Sequence, residues 1–109
     1  DLARTMEFDS GRKLEELKVD GGASVSNVMM QFQADMLDVP VNRPKCVEST
    51  ALGAAYLAAI GVGLYRDETD VLHYWQSEKI FTPEMSEVER AKRQRGWTKA
   101  VEKAKNWED

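Results

Sequence analysis

Asp20, Gly21, Gly22, Ala23, Ser24, Val25, Ser26 and Asn27 are the residues in this 109-residue chain whose types and spacing best suit chemistry. They lie within the run LKVDGGASVSNVMMQFQAD, Leu17 to Asp35, which reads as a strand turning through glycines directly into a helix. A helix start leaves about four backbone amides unpaired and carries roughly half a positive charge, which favours an anion. Gly21 and Gly22 have no β-carbon, so the backbone can take positive φ and approach a ligand closely. Together these features describe a perch for phosphate or nucleotide. The same residues also make an ordinary strand-to-helix turn, and taken alone they leave both readings open. They match neither the Gly-x-Gly-x-x-Gly dinucleotide fingerprint nor a P-loop, since no lysine follows the glycines into the helix.

Other candidates for chemistry carry less. His73 has no second histidine or cysteine placed to complete a metal site, and reads as structural or surface-exposed. Cys46, the single cysteine, has no nearby histidine and reads as a buried or half-buried thiol rather than a nucleophile. Glu48 reads as a helix cap, and Met29, Met30 and Met36 as core fillers. Trp75, Trp97 and Trp107 are too far apart in sequence to suggest an aromatic cage.

The elements that must hold the glycine turn follow from the pattern around it. An opening helix ends at Ser10, with Gly11 supplying the left-handed residue after it. Because Leu2, Ala3 and Met6 already show helical spacing behind a non-methionine first residue, an upstream part of the protein is expected. Leu17 and Val19 alternate as in a short strand. Beyond the turn, Val25, Met29, Phe32, Met36 and Leu37 form one helical stripe with Gln31, Gln33, Asp35 and Asp38 largely off it. Ser24 or Ser26 is the N-cap, and Pro40 stops the helix. Val41 to Val47, crossed by two X-Pro steps, reads as extended chain at a sheet edge. An Ala-rich helix starts near Glu48, Ser49 or Thr50 and suits close packing against a sheet or another helix. A short helix at Asp70 to Tyr74 and an extended piece around Lys79 to Phe81 are expected next. The last helix starts at Ser86 in a capping box with Glu89, and Trp97, Val101 and Ala104 give it an apolar edge.

Composition narrows the class. A net charge of −4 and a last helix whose basic and acidic residues nearly cancel argue against a nucleic-acid surface. The longest apolar stretch, Ala51 to Leu64, is too short to span a bilayer and has no signal-like basic flank, so no membrane partner is expected. One cysteine precludes an internal disulfide and suits a reducing, cytoplasmic compartment.

Three separated blocks then speak together: VDGGASVSNVMMQFQADMLDVPVNRP, ESTALGAAYLAAIGVGLY and GWTKAVEKAKNWED. In this order they resemble the C-terminal part of the glycerol kinases, carbohydrate kinases of the actin-like ATPase superfamily, over essentially the whole chain. The resemblance implies an α/β fold: part of an actin-like ATPase (ribonuclease H-like) domain, with short strands, packed helices and a C-terminal helix. Residues 1–109 would be the C-terminal part of a nucleotide-binding domain, with the N-terminal polyol-binding domain absent. The implied activity of the intact protein is phosphorylation of glycerol to glycerol 3-phosphate by ATP with Mg²⁺, this piece alone being inactive. Its partners would be ATP or ADP, glycerol through the N-terminal domain, and further copies of itself in a homo-oligomer. Catalytic residues and metal ligands would lie upstream. Another polyol or sugar kinase, or a noncatalytic nucleotide-binding module, are the alternatives.

By the same resemblance, Gly21, Gly22 and Ala23 pack near the α-phosphate and ribose, and the following helix start approaches the adenine. The family usually places asparagine at the position of Ser26 to bond the base. Here serine stands there and asparagine follows as Asn27, so adenine recognition is expected to be weakened, through Ser26 with a bridging water or through Asn27.

Overall fold

In a computed structural model the described residues are 1–72 and 76–105. His73, Trp75 and Trp107, and the last part of the helix expected at Asp70 to Tyr74, fall outside them. The elements run in the order α1 (Leu2–Ser10), β1 (Leu17–Lys18), a 3-10 turn (Gly22–Val25), α2 (Asn27–Leu37), β2 (Val41–Pro44), α3 (Ser49–Gly61), α4 (Glu68–Leu72), β3 (Ser77–Phe81) and α5 (Glu87–Ala104).

The strands form one mixed sheet in the order β1-β2-β3. β1 pairs parallel to β2 with Leu17 beside Val41, so the 3-10 turn and α2 make the crossover that a parallel pair requires. β3 returns antiparallel on the other side, with Phe81 beside Val41 and Lys79 beside Arg43. The segment expected at a sheet edge is therefore the central strand. Its prolines permit this because Pro40 precedes the strand and Pro44 ends it, where the register shifts between Arg43 and Pro44.

The core is small. Met30, Ala34, Val41 and Phe81 are buried together, and Leu17 and Val19 pack against them. This overturns the expected stripe on α2: Val25, Met29 and Phe32 are exposed, and the face turned to the sheet is carried by Met30 and Ala34. The helix is apolar on most sides, so its periodicity left the inward face undetermined. At the end of α2, Asp38 takes φ 60 and stops the helix ahead of Pro40.

Other boundaries follow local chemistry. Gly11 closes α1 at φ 65. Ser86 Oγ accepts the Glu89 amide at 3.3 Å to start α5, and the Glu89 carboxylate pairs with Arg93 at 2.9 Å. α1, α3 and α5 have no buried residue, so neither the close packing expected of α3 nor a buried apolar edge on α5 is present. Trp97 is exposed and donates through Nε1 to Asp1 Oδ2 at 2.6 Å. The radius of gyration, 18.2 Å, exceeds the ~13 Å of a compact domain of this length. The helices around the sheet consequently present apolar side chains to solvent, among them Phe8 and Leu57. Among the described residues no helix is long and apolar enough to cross a membrane.

Candidate functional site

The bend after β1 is built from one unusual backbone position. Gly21 sits at φ 80, ψ 169, a region open essentially to glycine alone. Its amide donates to the Val47 carbonyl at 2.7 Å, and its carbonyl accepts from the Ser24 amide at 3.0 Å and from Ser24 Oγ at 2.6 Å. Gly22 has no positive φ, contrary to the reading that both glycines would use that freedom, and begins the 3-10 turn. The expected direct passage from strand to helix is thus interrupted by one tighter turn.

That turn leaves donors without a partner inside it. Since Ser24 makes its first internal bond, the amides of Gly22 and Ala23 stand at its open end, and both residues are exposed. A second open end follows at once. Ser26 Oγ accepts the Met29 amide at 3.3 Å, so Ser26 is the N-cap of α2. Asn27 and Val28, in the first turn of α2, are exposed. Asp20 is exposed beside the bend.

Gly21, Gly22, Ala23, Ser26 and Asn27 therefore lie in one short stretch in which two helix starts follow each other, with Gly22, Ala23 and Asn27 exposed and Gly21 and Ser26 half-buried. Ser24, the other proposed cap, is buried and serves the inside of the turn. A nucleotide suits this surface chemically, because phosphate oxygens match outward amides and the missing β-carbons allow close approach. A β-carbon built on Gly21 or Gly22 meets no atom within 4 Å, so the space beside both is open.

The sequence reading missed the residue that supports the bend from below. Arg43 on β2 is buried, and its Nη1 donates to the carbonyls of Ser24 at 3.0 Å and Val25 at 3.1 Å. Its Nε donates to Glu78 at 2.7 Å, and the guanidinium lies 5.2 Å from the Phe81 ring centre. The available signal was an arginine in a short extended segment with a glutamate on a later strand, which is too common to single out.

A separate cluster joins α2 to the start of α5. Asp35 Oδ1 accepts from the amides of Glu84 at 2.7 Å and Met85 at 3.1 Å and from Gln31 Nε2 at 3.1 Å. The Glu84 amide is the chief reason its carboxyl is held below the ordinary aspartate range. Arg90 adds bonds to the Asp35 carbonyl and to Asp38, each at 2.6 Å.

The remaining candidates stand apart from the bend. Cys46 is exposed, not buried, because it follows Pro44 off the end of the sheet. Glu48 occupies the N-cap position of α3 without a side-chain cap bond; its longer side chain is a poorer match there than Ser, Thr, Asp or Asn. Of the three methionines read as core, Met30 is buried and Met29 exposed. Among the described residues no three His, Cys, Asp or Glu side chains converge as a metal site.

The profile of the FGGY family of carbohydrate kinases, C-terminal domain, matches residues 1–62. The chain belongs to the FGGY family of carbohydrate kinases. Among the relatives of this FGGY chain, the glycerol kinase of Deinococcus radiodurans is 57% identical over 109 residues, covering 100% of the chain and 22% of the relative. That of Caldanaerobacter subterraneus subsp. tengcongensis is 52% identical over 107 residues, 98% of the chain and 22% of the relative. The FGGY chain thus spans 22% of the length of these relatives. A crystal structure of Plasmodium falciparum glycerol kinase with ADP superposes with TM-score 0.74 at 30% identity, over 95% of this chain and 21% of that one. A ligand-bound xylulose kinase from Lactobacillus acidophilus gives TM-score 0.66 at 26% identity, over 84% and 18%. These neighbours place the α/β architecture among sugar kinases of the actin-like ATPase fold.

Proposed function

We propose that residues 1–109 are the C-terminal part of the nucleotide-binding domain of an ATP-dependent glycerol kinase. The observation that carries this reading is the glycine bend, where Gly21 in its glycine-only conformation is followed by the exposed residues Gly22 and Ala23 at the open start of the 3-10 turn. The identity to glycerol kinases over the whole chain supports the choice of glycerol over other polyols. The likeness to a glycerol kinase with ADP supports the nucleotide as the ligand.

In this reading Gly21, Gly22 and Ala23 meet the α-phosphate and ribose, while Ser26 and Asn27 face the adenine. The bend contributes position and fixed partial charge to in-line phosphoryl transfer, a reaction whose catalysis rests mainly on both. The Mg²⁺ that accompanies ATP, the base that takes the glycerol hydroxyl proton and the glycerol contacts belong to the rest of the enzyme. That remainder also covers the apolar side chains that α1 and α3 leave exposed. A cytoplasmic location and a homo-oligomeric intact enzyme complete the proposal.

The test is ATP turnover by the intact protein with glycerol, xylulose or gluconate as acceptor. Glycerol-dependent ADP formation is expected. Turnover with one of the other acceptors and none with glycerol would overturn the choice of substrate.

A further inference from the structure

We propose that Arg43 is a positioning residue for nucleotide binding: a buried cation that braces the 3-10 turn of the glycine bend without touching the ligand. This rests on the reading of the bend as the nucleotide surface. Three observations carry it. The Arg43 side chain is 7% exposed, so its charge needs partners inside the fold. Nη1 bonds two successive carbonyls, those of Ser24 and Val25, at the C-terminal end of the 3-10 turn. Cations favour that end, since carbonyl oxygens accumulate there as amides do at the other. The two peptide planes so held carry the Val25 and Ser26 amides, and the Ser26 amide bonds back to the Ala23 carbonyl at 3.2 Å, so Arg43 braces the turn from the end opposite the Gly22 and Ala23 amides.

The orientation of Arg43 is itself constrained. Glu78 takes Nε at 2.7 Å, and it stands where the β2-β3 register skips from Lys79 to Ser77. Such an irregularity re-aims a side chain, here toward the guanidinium. Phe81 closes the other side. A lysine offers a single point charge and cannot keep the two carbonyls and the carboxylate in one plane.

The experiment compares Arg43→Lys, Arg43→Met and Glu78→Gln with Gly22→Ala in the intact enzyme, measuring KM separately for ATP and for glycerol. Arg43→Lys is expected to raise KM for ATP about tenfold, the effect of losing one charge-assisted hydrogen bond, with KM for glycerol within about twofold. Arg43→Met should raise it further and Glu78→Gln less. If Gly22→Ala raises KM for ATP while Arg43→Lys and Glu78→Gln do not, the positioning role is wrong and the nucleotide reading stands. If none of the four moves it, the nucleotide reading falls and takes this proposal with it. Equal rises in both KM values would also overturn the proposal, marking Arg43 as general scaffolding; should both Arg43 variants fail to fold, Glu78→Gln decides alone.

Discussion

Ser26 Oγ accepts the Met29 amide hydrogen at 3.3 Å, so the hydroxyl proposed to face the adenine is already engaged in capping α2. Its proton remains free to donate, whereas its acceptor capacity is shared with the helix. Asparagine caps a helix about as well as serine and has a longer reach. Ser26→Asn in the intact enzyme is therefore expected to leave stability unchanged and tighten ADP binding severalfold. Ser26→Ala should cost about 1 kcal/mol of stability through the lost cap. Calorimetric titration with ADP beside thermal unfolding checks both; unchanged or weaker ADP binding in Ser26→Asn would remove Ser26 from the adenine side.

The two glycines separate conformation from contact. Gly21→Ala places a β-carbon at φ 80 and is expected to destabilise the bend by about 1–3 kcal/mol, although no atom blocks it. Gly22→Ala meets neither positive φ nor a neighbouring atom, so the fold should accept it. Its methyl group would enter the space assigned to the nucleotide, raising KM for ATP on the order of tenfold, as overpacking does. Unfolding curves and ATP saturation kinetics of the two variants provide the comparison.

Asp35 ties α2 to the start of α5, and its lowered carboxyl pKa gives that link a pH dependence. A carboxylate held below its unfolded value stabilises the fold fully above that value, about 3.9, and loses the contribution as pH falls through the lower native value. Asp35→Ala should thus loosen α5 at neutral pH by about 1 kcal/mol or more, seen as faster hydrogen exchange at the Glu84 and Met85 amides. The difference in stability between variant and native protein should fade in strong acid. A difference that persisted below the native pKa would show that ionisation is not its source.

Local chemistry was legible in the chain. Gly11, Ser26, Pro40 and Ser86 mark helix ends through backbone conformation or a nearby side-chain oxygen, and those signals need no distant partner. What escaped depends on contacts between remote segments. β2 is central only because Leu17 and Phe81 both come to lie beside Val41. The inward face of α2 is decided by the sheet beneath Met30 and Ala34, which a helix with apolar residues on most sides cannot announce. At the candidate site, the glycines and Ser26 were readable because turn and cap residues carry their own signature. Arg43 was not, since its burial rests on Ser24, Val25 and Glu78 meeting around it.

A crystal structure of the intact enzyme with ADP tests the central claim most directly. The diphosphate and ribose are expected within hydrogen-bonding distance of the Gly22 and Ala23 amides, with the base over Ser26 and Asn27. ADP seated elsewhere, with those amides still facing solvent, would contradict it.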